Sequence, residues 1–317
     1  MISIIIPFNN GKKYLDKCLE NLSKIEYNDY EIILVDDYSN DNSEIIASKY
    51  EKTKYYYTTQ NTIGVGNARN LGINKAKGKY IMFVDVDDTV DKNILKELKQ
   101  YIDEDIDMIK YKMKIIKGKK EILTTGNTFE KTNGQDAFNR LCYNDKFFDS
   151  PCLYLIKKDL FNKLDLKFEE NVYHEDFGLI PQLIVNSQSV VSTNFYGYNY
   201  YQSENSIMRN GDYSKRVKKV EDKFLHYNNL LKNIKGYKIT DETRENLLTY
   251  YTNSIILAIK ELNVQDRKKF EKRLKDNNLF SNIKPKSLKQ YIKNLILENN
   301  IELYYKLQYV FFKEKRR

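Results

Sequence analysis

Three carboxylates follow one apolar segment of this 317-residue sequence: Asp85, Asp87 and Asp88 come directly after Tyr80–Val84. An apolar run of this length, bounded by polar residues, is typical of a buried strand. Carboxylates so close together raise one another's pKa values unless a cation or hydrogen-bond donors compensate. A divalent metal ion, Mn²⁺ or Mg²⁺, is the simplest compensation, and it could also hold the diphosphate of a nucleotide. The pattern therefore predicts an enzyme that acts on an activated phosphate compound.

The elements that position these acids alternate between strand and helix patterns along residues 1–100. The predicted strands are Ile2–Ile6, Glu31–Val35, Lys54–Thr58 and Tyr80–Val84, and the predicted helices are Tyr14–Leu22, Asn42–Tyr50 and Val65–Lys75. Such alternation favours a parallel sheet covered by helices, with ligands outside the carboxyl ends of the strands. Polar motifs stand at those ends: Pro7-Phe8-Asn9, Asp36-Asp37 and the three acids.

The rest of the chain has a mixed part and a helical part. The mixed part contains a predicted strand at Met108–Ile116 and predicted helices at Gln135–Tyr143 and Lys158–Lys163. Beyond Gly211, apolar residues recur at spacings of three and four from Val217 to Leu262 and again from Leu288 to Ile296. The sequence therefore predicts an α/β domain over residues 1–210 and a basic helical C-terminal region over 211–317.

Composition excludes several classes of protein. With 41% hydrophobic residues the chain can build a core, and no run approaches the ~20 apolar residues of a membrane-spanning helix. The segment Met1–Pro7 has neither the basic region nor the cleavage site of a signal peptide. Three scattered cysteines fit reduced core thiols better than a disulfide framework or a zinc site. We therefore expect a folded cytoplasmic protein.

The excess positive charge lies in the C-terminal third. Residues 211–317 carry 25 basic and 13 acidic side chains, whereas residues 1–100 and 101–210 have net charges of −1 and −2. Apolar faces at Leu288–Leu297 and Leu303–Phe312, together with the basic cluster Lys313–Arg317, suit peripheral binding to an anionic membrane surface. Packing in the core or in a homodimer is the alternative. Nucleic acid is not expected, because no recognised binding motif accompanies the charge.

The order of the motifs resembles the family 2 glycosyltransferases of the GT-A fold, particularly the bacterial enzymes that build surface polysaccharides. The resemblance rests on Ser3–Asn9, Glu31–Ser39, Gly64 with Asn67–Gly72, and Ala76–Asp88, and it continues more weakly through Glu175-Asp176. It implies a Rossmann-like, mostly parallel sheet flanked by helices. Residues 1–100 would then be the nucleotide-binding half, and residues 101–210 the acceptor-binding half.

The resemblance also implies roles for individual residues. The predicted nucleotide-binding residues are Pro7, Phe8, Asn9, Asp36, Asp37, Arg69 and Asp85. Asp87 would bind the metal, with Asp88 in support. Asp176 would be the catalytic base, and Glu175 and His174 would bind the acceptor. In isolation, Asp36-Asp37 could be an ordinary acidic turn and Glu175-Asp176 could simply begin a helix, where acids suit the helix dipole.

The function that the resemblance implies is inverting, metal-dependent transfer of a sugar. The donor would be a nucleotide sugar, UDP-hexose or UDP-N-acetylhexosamine, and the acceptor a glycan or a lipid-linked molecule used in cell-surface polysaccharide synthesis. We expect the enzyme on the cytoplasmic side, peripheral to the inner face of the plasma membrane.

Two departures from the family pattern stand out. Tyr38 occupies the glycine position of the Asp-Asp-Gly-Ser turn, which could reshape that loop or narrow the base pocket. The aromatic run Tyr198–Gln202 precedes Ser206-Ile207 without the usual arginine, and Arg209 is the candidate replacement.

Two other interpretations of the acids remain open. Asp85-Val-Asp87-Asp88-Thr89 also fits the Asp-x-Asp-x-Thr signature of haloacid-dehalogenase-like phosphatases, with Asp85 as nucleophile and Asp87 as acid/base. The spacing of Asp36-Asp37 and Asp85 is close to that of a receiver-like signalling domain, which is not an enzyme. Both place their acids after the first strand, whereas strand patterns precede these motifs here.

Overall fold

The computed structural model of the chain describes residues 1–62, 64–142, 147–202, 212–285 and 288–311. The chain divides into two compact units. The first unit consists of Met1–Arg209 with Tyr237–Ile239, and the second of Asn210–Gly236 with Thr240–Arg317.

One mixed sheet forms the centre of the first unit. Its strands are β1 (Ile2–Phe8), β2 (Tyr30–Asp36), β3 (Thr53–Tyr57), β4 (Tyr80–Phe83), β5 (Thr89–Val90), β6 (Met108–Lys117), β7 (Lys120–Leu123), β8 (Phe129–Thr132), β9 (Tyr154–Lys157) and β10 (Val190–Tyr201). The order across the sheet is β3-β2-β1-β4-β9-β6-β10-β5, with β7 on β6 and β8 on β10. The predicted parallel sheet is confirmed for β3, β2, β1 and β4.

Helices of the first unit pack on this sheet. They are α1 (Lys12–Ser23), α2 (Glu44–Ala47), α3 (Val65–Lys75), α4 (Ile94–Asp103), α5 (Gly134–Cys142), α6 (Asp159–Leu164) and α7 (Ile180–Asn186). A side-chain carbon at Gly72 of α3 would lie 2.4 Å from Cγ2 of Ile5 in β1. The absence of a side chain at this position therefore lets α3 lie directly against the strand whose end carries Pro7-Phe8-Asn9.

The predicted helix Asn42–Tyr50 is wrong in its extent, because only Glu44–Ala47 is helical. Asn42 has a backbone φ of +58°, a left-handed conformation through which a right-handed helix cannot run. The predicted helix Val65–Lys75, by contrast, has the bounds that its sequence pattern indicates.

The strands β9 and β10 have no counterpart among the predicted strands. β9 pairs antiparallel with both β4 and β6 and so joins the two halves of the sheet. β10 pairs parallel with β6, with register shifts between Ser192 and Tyr198. These shifts interrupt the alternation of buried and exposed side chains by which a strand is recognised in sequence.

The second unit consists of helices over its described residues: α8 (Tyr213–Asn233), α9 (Asp241–Ile259), α10 (Val264–Asp276), α11 (Leu288–Asn299) and α12 (Ile301–Phe311). The predicted helical C-terminal region is thus confirmed. Thr240 caps α9 by accepting a hydrogen bond from Thr243 N, and Asn263 caps α10 in the same way. Within the part of the chain that is described, no helix is long and apolar enough to cross a bilayer.

Candidate active site

The polar motifs at the strand ends lie together at one edge of the sheet. Because β1, β2 and β4 are parallel neighbours, their carboxyl ends bring Phe8, Asp36 and Asp85 to that edge. Asn9 ties two of these ends together, since its Nδ2 donates a hydrogen bond to the backbone oxygen of Asp37 at 2.7 Å. The sequence motifs are therefore assembled as the strand order requires.

Asp36 and Asp37 are both buried but have different partners. The hydroxyl of Tyr55 donates a hydrogen bond to Asp36 at 2.5 Å. Asp37 accepts hydrogen bonds from Gly64 N at 2.9 Å and from the hydroxyl of Thr58 at 3.0 Å. Burial raises the pKa of Asp37, and these two donors oppose the rise. Asp36 therefore lies beside an aromatic ring, while Asp37 fixes the backbone that leads into α3.

Aromatic rings line the same edge. The ring centroids of Phe8 and Tyr55 are 6.0 Å apart in an edge-to-face arrangement, and those of Tyr55 and Tyr57 are 4.9 Å apart. Phe8 is buried, whereas Tyr57 is exposed. Apolar faces next to the carboxylate of Asp36 suit a heterocyclic base, which can stack on a ring and donate hydrogen bonds to an acid.

Tyr38 has the backbone conformation that glycine would adopt at this turn. Its φ is +62°, and its side chain is 52% exposed. A left-handed conformation costs a residue with a side chain about 1–2 kcal/mol. The tyrosine therefore leaves the turn left-handed and adds an exposed ring beside Asn9, whose amide also reaches the Tyr38 backbone oxygen.

The three acids after β4 have three different environments. Asp88 is buried and accepts hydrogen bonds from the hydroxyl of Tyr198 at 2.7 Å and from Tyr201 N at 2.8 Å. Burial and then repulsion from Asp85 raise the pKa of Asp88 to about 8. Asp87 is exposed. Its pKa is also raised, first because neighbouring atoms reduce its solvation and then because Asp85 repels its negative charge. Within the described ranges no other residue donates a hydrogen bond to the Asp87 carboxylate, which leaves it accessible to a ligand.

Arg69 connects the acids after β4 with the Glu175-Asp176 pair. Arg69 lies on α3 and is 5% exposed. Its Nη2 donates to Asp85 Oδ1 at 3.1 Å, and its Nη1 donates to Glu175. The guanidinium also lies 5.5 Å from the ring centroid of Phe168. Burial disfavours the charge of Arg69, but Glu175 and Asp85 outweigh it, so the pKa is raised and the arginine stays charged.

Asp176 lies on the turn that precedes α7. Because α7 begins at Ile180, the acid pair stands before this helix, and the backbone oxygen of Asp176 accepts a hydrogen bond from Ile180 N at 2.9 Å. Burial and the charge of Glu175 raise the pKa of Asp176 well above its usual value, against the effect of Arg69. A carboxylate with a raised pKa binds a proton more readily, as a general base must. His174 is half-buried, with a φ of +57° that turns the chain at this point.

A metal ion fits this edge in part. Among the described residues, no group of three or more His, Cys, Asp or Glu side chains is arranged to hold a metal ion. Asp87 presents an exposed carboxylate, and the side chain of Asp85 is 40% exposed with one oxygen on Arg69. Mg²⁺ is commonly bound through one or two carboxylates plus the phosphates of a substrate. These two acids therefore fit a metal that is completed by a diphosphate.

Several residues of this edge were not predicted from sequence. Tyr55 supports Asp36, and Tyr198 and Tyr201 support Asp88. The ammonium of Lys17 lies 3.8 Å from the ring centroid of Tyr201. Tyr198 and Tyr201 belong to an aromatic run that is visible in the sequence, but no local pattern predicts that these two residues contact Asp88. The predicted Ser206-Ile207 pair and Arg209 lie outside the described residues.

Comparison with known proteins identifies relatives along most of the chain. Residues 3–165 match the sequence model described as glycosyl transferase family 2. Glycosyltransferase GlyG of Streptococcus pneumoniae serotype 4 is 33% identical over 222 residues, which are 66% of this chain and 73% of GlyG. Poly(ribitol-phosphate) beta-N-acetylglucosaminyltransferase TarS of Staphylococcus aureus is 34% identical over 123 residues, 37% of this chain but only 22% of TarS.

A solved structure has the same fold. The crystal structure of S. aureus TarS 1–349 in complex with UDP-GlcNAc gives a TM-score of 0.74 at 20% identity, and the match covers 100% of this chain and 93% of that one. The phosphatase and receiver interpretations are not favoured, because Asp36 ends the second strand, β2, and Asp85 comes after the fourth strand, β4. The resemblance seen in the sequence is therefore confirmed, and the chain belongs to glycosyl transferase family 2, with the GT-A fold of a mostly parallel sheet flanked by helices.

Proposed function

We propose that this glycosyltransferase is metal-dependent and inverting, and that it moves a sugar from UDP to a glycan or lipid-linked acceptor of the cell surface. The Arg69 network carries the proposal. Its guanidinium binds both Asp85, at the predicted nucleotide edge, and Glu175, the neighbour of the candidate base Asp176. One buried cation thus holds the donor side and the acceptor side of the reaction in register.

The donor would lie along the strand ends. Phe8, Tyr55 and Asp36 form a surface for the base and ribose, with Pro7 and Asn9 beside it and Asp37 holding the adjoining loop. The TarS structure contains UDP-GlcNAc, which supports UDP-N-acetylhexosamine or UDP-hexose as the donor class here. Mn²⁺ or Mg²⁺ at Asp87 and Asp85 would supply positive charge to the departing diphosphate.

The transfer itself needs a base opposite the leaving group. Asp176 would take the proton of an acceptor hydroxyl while that oxygen forms a bond to the anomeric carbon and the bond to the diphosphate breaks. Attack from the face opposite the diphosphate inverts the anomeric centre. Glu175, held by Arg69, and His174 would orient the acceptor. TarS is named for transfer to poly(ribitol-phosphate), which makes a polyol phosphate the first acceptor to test.

The donor site is tested by calorimetric titration of UDP with Mn²⁺, with Mg²⁺ and with EDTA, using GDP as a comparison. We expect UDP binding that requires the metal and is lost in Asp87→Ala. Glu51→Gln, at an exposed position outside the site, is the control and should bind like wild type. A chain that binds no nucleotide under any of these conditions would contradict the proposed donor.

The base is tested with the donor found in that way and a panel of glycan, polyol phosphate and lipid-linked acceptors. Asp176→Asn should keep UDP affinity and lose about 10²–10⁴-fold in kcat, the usual contribution of a general base. Anomeric configuration of the product, read by NMR coupling constants, tests inversion. A retained configuration, or full activity in Asp176→Asn, would refute the mechanism.

We also propose peripheral attachment to the inner face of the plasma membrane through the second unit. Four apolar side chains at helical spacing on α11 are exposed: Leu288, Tyr291, Ile292 and Leu295. They belong to residues 211–317, whose 25 basic and 13 acidic side chains favour an anionic surface. A homodimer formed through the same face is the competing proposal, and the two predict different dependence on lipid.

A further inference from the structure

An open surface cavity of about 560 Å³ lies in the first unit, separate from the edge that carries the acids. Its lining consists of Gly126, Asn127, Thr128, Phe129, Asn139 and Arg140. The acids contact Tyr198, which pairs with Met113 of β6. Lys110, the side chain of β6 that approaches the cavity, stands three residues before Met113, or about 10 Å at the rise of a strand. The proposed sugar transfer makes no use of this cavity.

Lys110 is a buried cation next to the cavity. It is 5% exposed, and its Nζ lies 4.0 Å from the position that a Cβ at Gly126 would occupy. Across the described ranges, no carboxylate or other hydrogen-bond acceptor is bound to Lys110. Burial, assisted by the charge of Lys112, lowers the pKa of Lys110 to about 8. With only 5% of the residue exposed and no counter-charge among the described residues, the charged form of Lys110 is disfavoured, so an anionic ligand would offset part of that cost.

Arg140 supplies a second cation in the lining itself. Its guanidinium lies 5.7 Å from the ring centroid of Phe129, and it forms no ion pair with any residue that the structure describes. The side-chain amide of Asn127 donates a hydrogen bond to the backbone oxygen of Arg140 and so links the two chain segments that line the cavity. Among the residues that the structure describes, the lining contains no carboxylate. The cavity therefore has one cation, Arg140, in its lining and a second, Lys110, beside Gly126.

We propose that this cavity binds a phosphate group, with Lys110 as the buried counter-ion and Arg140 as the outer ligand. A phosphate carries enough acceptor oxygens for an ammonium and a guanidinium at once, and charge-assisted bonds of this type are the strong ones. The group could be inorganic phosphate or a phosphodiester within a polymer. The site is separate from the donor edge and would persist even if the proposed sugar transfer were wrong.

Calorimetric titration of inorganic phosphate into the full chain, in chloride buffer at pH 7, tests the site. We expect one phosphate per chain, bound equally well with and without saturating UDP. Lys110→Met and Arg140→Gln should each weaken binding at least about tenfold, the effect of losing one charge-assisted hydrogen bond. Lys112→Met is the matched control on the same strand, since Lys112 Nζ is bound to Asn194, and it should bind phosphate as wild type does.

A second pair of variants keeps the test decisive if Lys110→Met does not fold. Gly126→Asp would put a carboxylate beside the Lys110 ammonium and abolish phosphate binding, whereas the uncharged Gly126→Asn should lose less affinity. A parallel titration with glycerophosphoglycerol distinguishes inorganic phosphate from a polymer phosphodiester as the ligand. A site for polymer phosphodiesters should bind this compound, whereas a site for inorganic phosphate should not. The proposal is overturned by no phosphate binding to wild type, by displacement with UDP, or by equal affinity in wild type, Lys110→Met and Gly126→Asp.

Discussion

Arg69 and Glu175 are 106 positions apart in sequence, yet both are buried and paired. Removing one partner of a buried ion pair leaves the other charge uncompensated, which costs about 3–5 kcal/mol. In this protein the pair also joins α3 to the turn that carries Asp176. A substitution at either residue should therefore affect both folding and the position of the candidate base.

We predict that Arg69→Met lowers the free energy of unfolding by about 3–5 kcal/mol, measured by urea denaturation. Glu175→Gln in the same chain should recover part of that loss, because the uncompensated carboxylate is then removed. Arg216→Met, at an exposed position on α8, is the control and should be close to neutral. Strict additivity of the two single substitutions would show that the pair does not stabilise the fold.

Tyr38 allows a test of backbone strain at a single residue. Its φ of +62° is accessible to glycine without strain. Tyr38→Gly should raise the free energy of unfolding by about 1 kcal/mol, whereas Tyr38→Ala, which removes the ring but keeps the strain, should not. If the two variants have the same stability in urea denaturation, strain at this turn is not significant. Equal losses of UDP affinity in both would assign the ring itself to the donor site.

Among the secondary-structure elements, the close contact of α3 with the segment before α7 depends on Gly66. A side-chain carbon at Gly66 would lie 2.5 Å from the backbone oxygen of Glu169 and 3.5 Å from Cβ of Glu175. The first distance is too short for any real contact, so the segment 169–175 would have to move. The position of Glu175 relative to Arg69 therefore depends on residue 66 being a glycine.

We expect Gly66→Ala to lower the free energy of unfolding by about 1–3 kcal/mol, the usual cost of overpacking, and to lower kcat more than UDP affinity. Gly236→Ala is the matched control, since nothing lies within 4 Å of a Cβ at that position. Thermal or urea denaturation, together with UDP titration, measures both effects. Wild-type stability and kcat in the Gly66→Ala variant would show that the segment adapts freely.

The buried lysine of β6 predicts a pH dependence of stability. The folded pKa of Lys110 is about 8, below the roughly 10.4 of an unfolded lysine. Between pH 8 and about 10.4 this lysine is protonated in the unfolded chain but largely neutral in the folded one. The free energy of unfolding therefore rises with pH in this window, by up to about 1.4 kcal/mol per pH unit. Lys110→Met should remove that rise and be more stable than wild type at pH 7. A stability difference between the two chains that stays constant from pH 7 to 10 would contradict the lowered pKa.

For the molecule as a whole, the exposed face of α11 predicts binding to lipid. Ile292 lies near the middle of that face and is 50% exposed. Ile292→Glu should reduce cosedimentation with anionic vesicles at least about tenfold, because it puts a negative charge against the headgroups. Leu257→Glu is the control, at a leucine of α9 that is 55% exposed. Binding should also weaken as salt is raised.

Removal of the basic cluster Lys313–Arg317, which lies outside the described residues, should weaken vesicle binding further. Analytical ultracentrifugation without lipid addresses the competing homodimer. A dimer that Ile292→Glu dissociates, with no vesicle binding by wild type, would replace the membrane proposal with an interface between two copies of this chain.

Local patterns in the sequence were sufficient to predict an α/β fold and the strand-end motifs, because β-branched runs and helical spacings can be read from neighbouring residues. The family was predicted from the resemblance of the motif order to a known family. The local patterns predicted α3 with its observed bounds, and the binding of a metal by the acids after β4 stays a prediction. They also misjudged the extent of the helix after Asn42, since a single left-handed residue there is not visible in hydrophobic periodicity.

Which polar groups meet depended on the tertiary structure. Asp88 accepts hydrogen bonds from Tyr198 and Tyr201 of β10. The register shifts of β10 interrupt its alternating pattern, so this strand was not predicted from the sequence. Arg69 binds Asp85 and Glu175 instead of being exposed toward a ligand. Lys110 is buried without a partner among the described residues, although its neighbours in sequence give no sign of this. In each case the decisive contact or burial involves residues far apart in the chain, and its free energy depends on packing that no local pattern encodes.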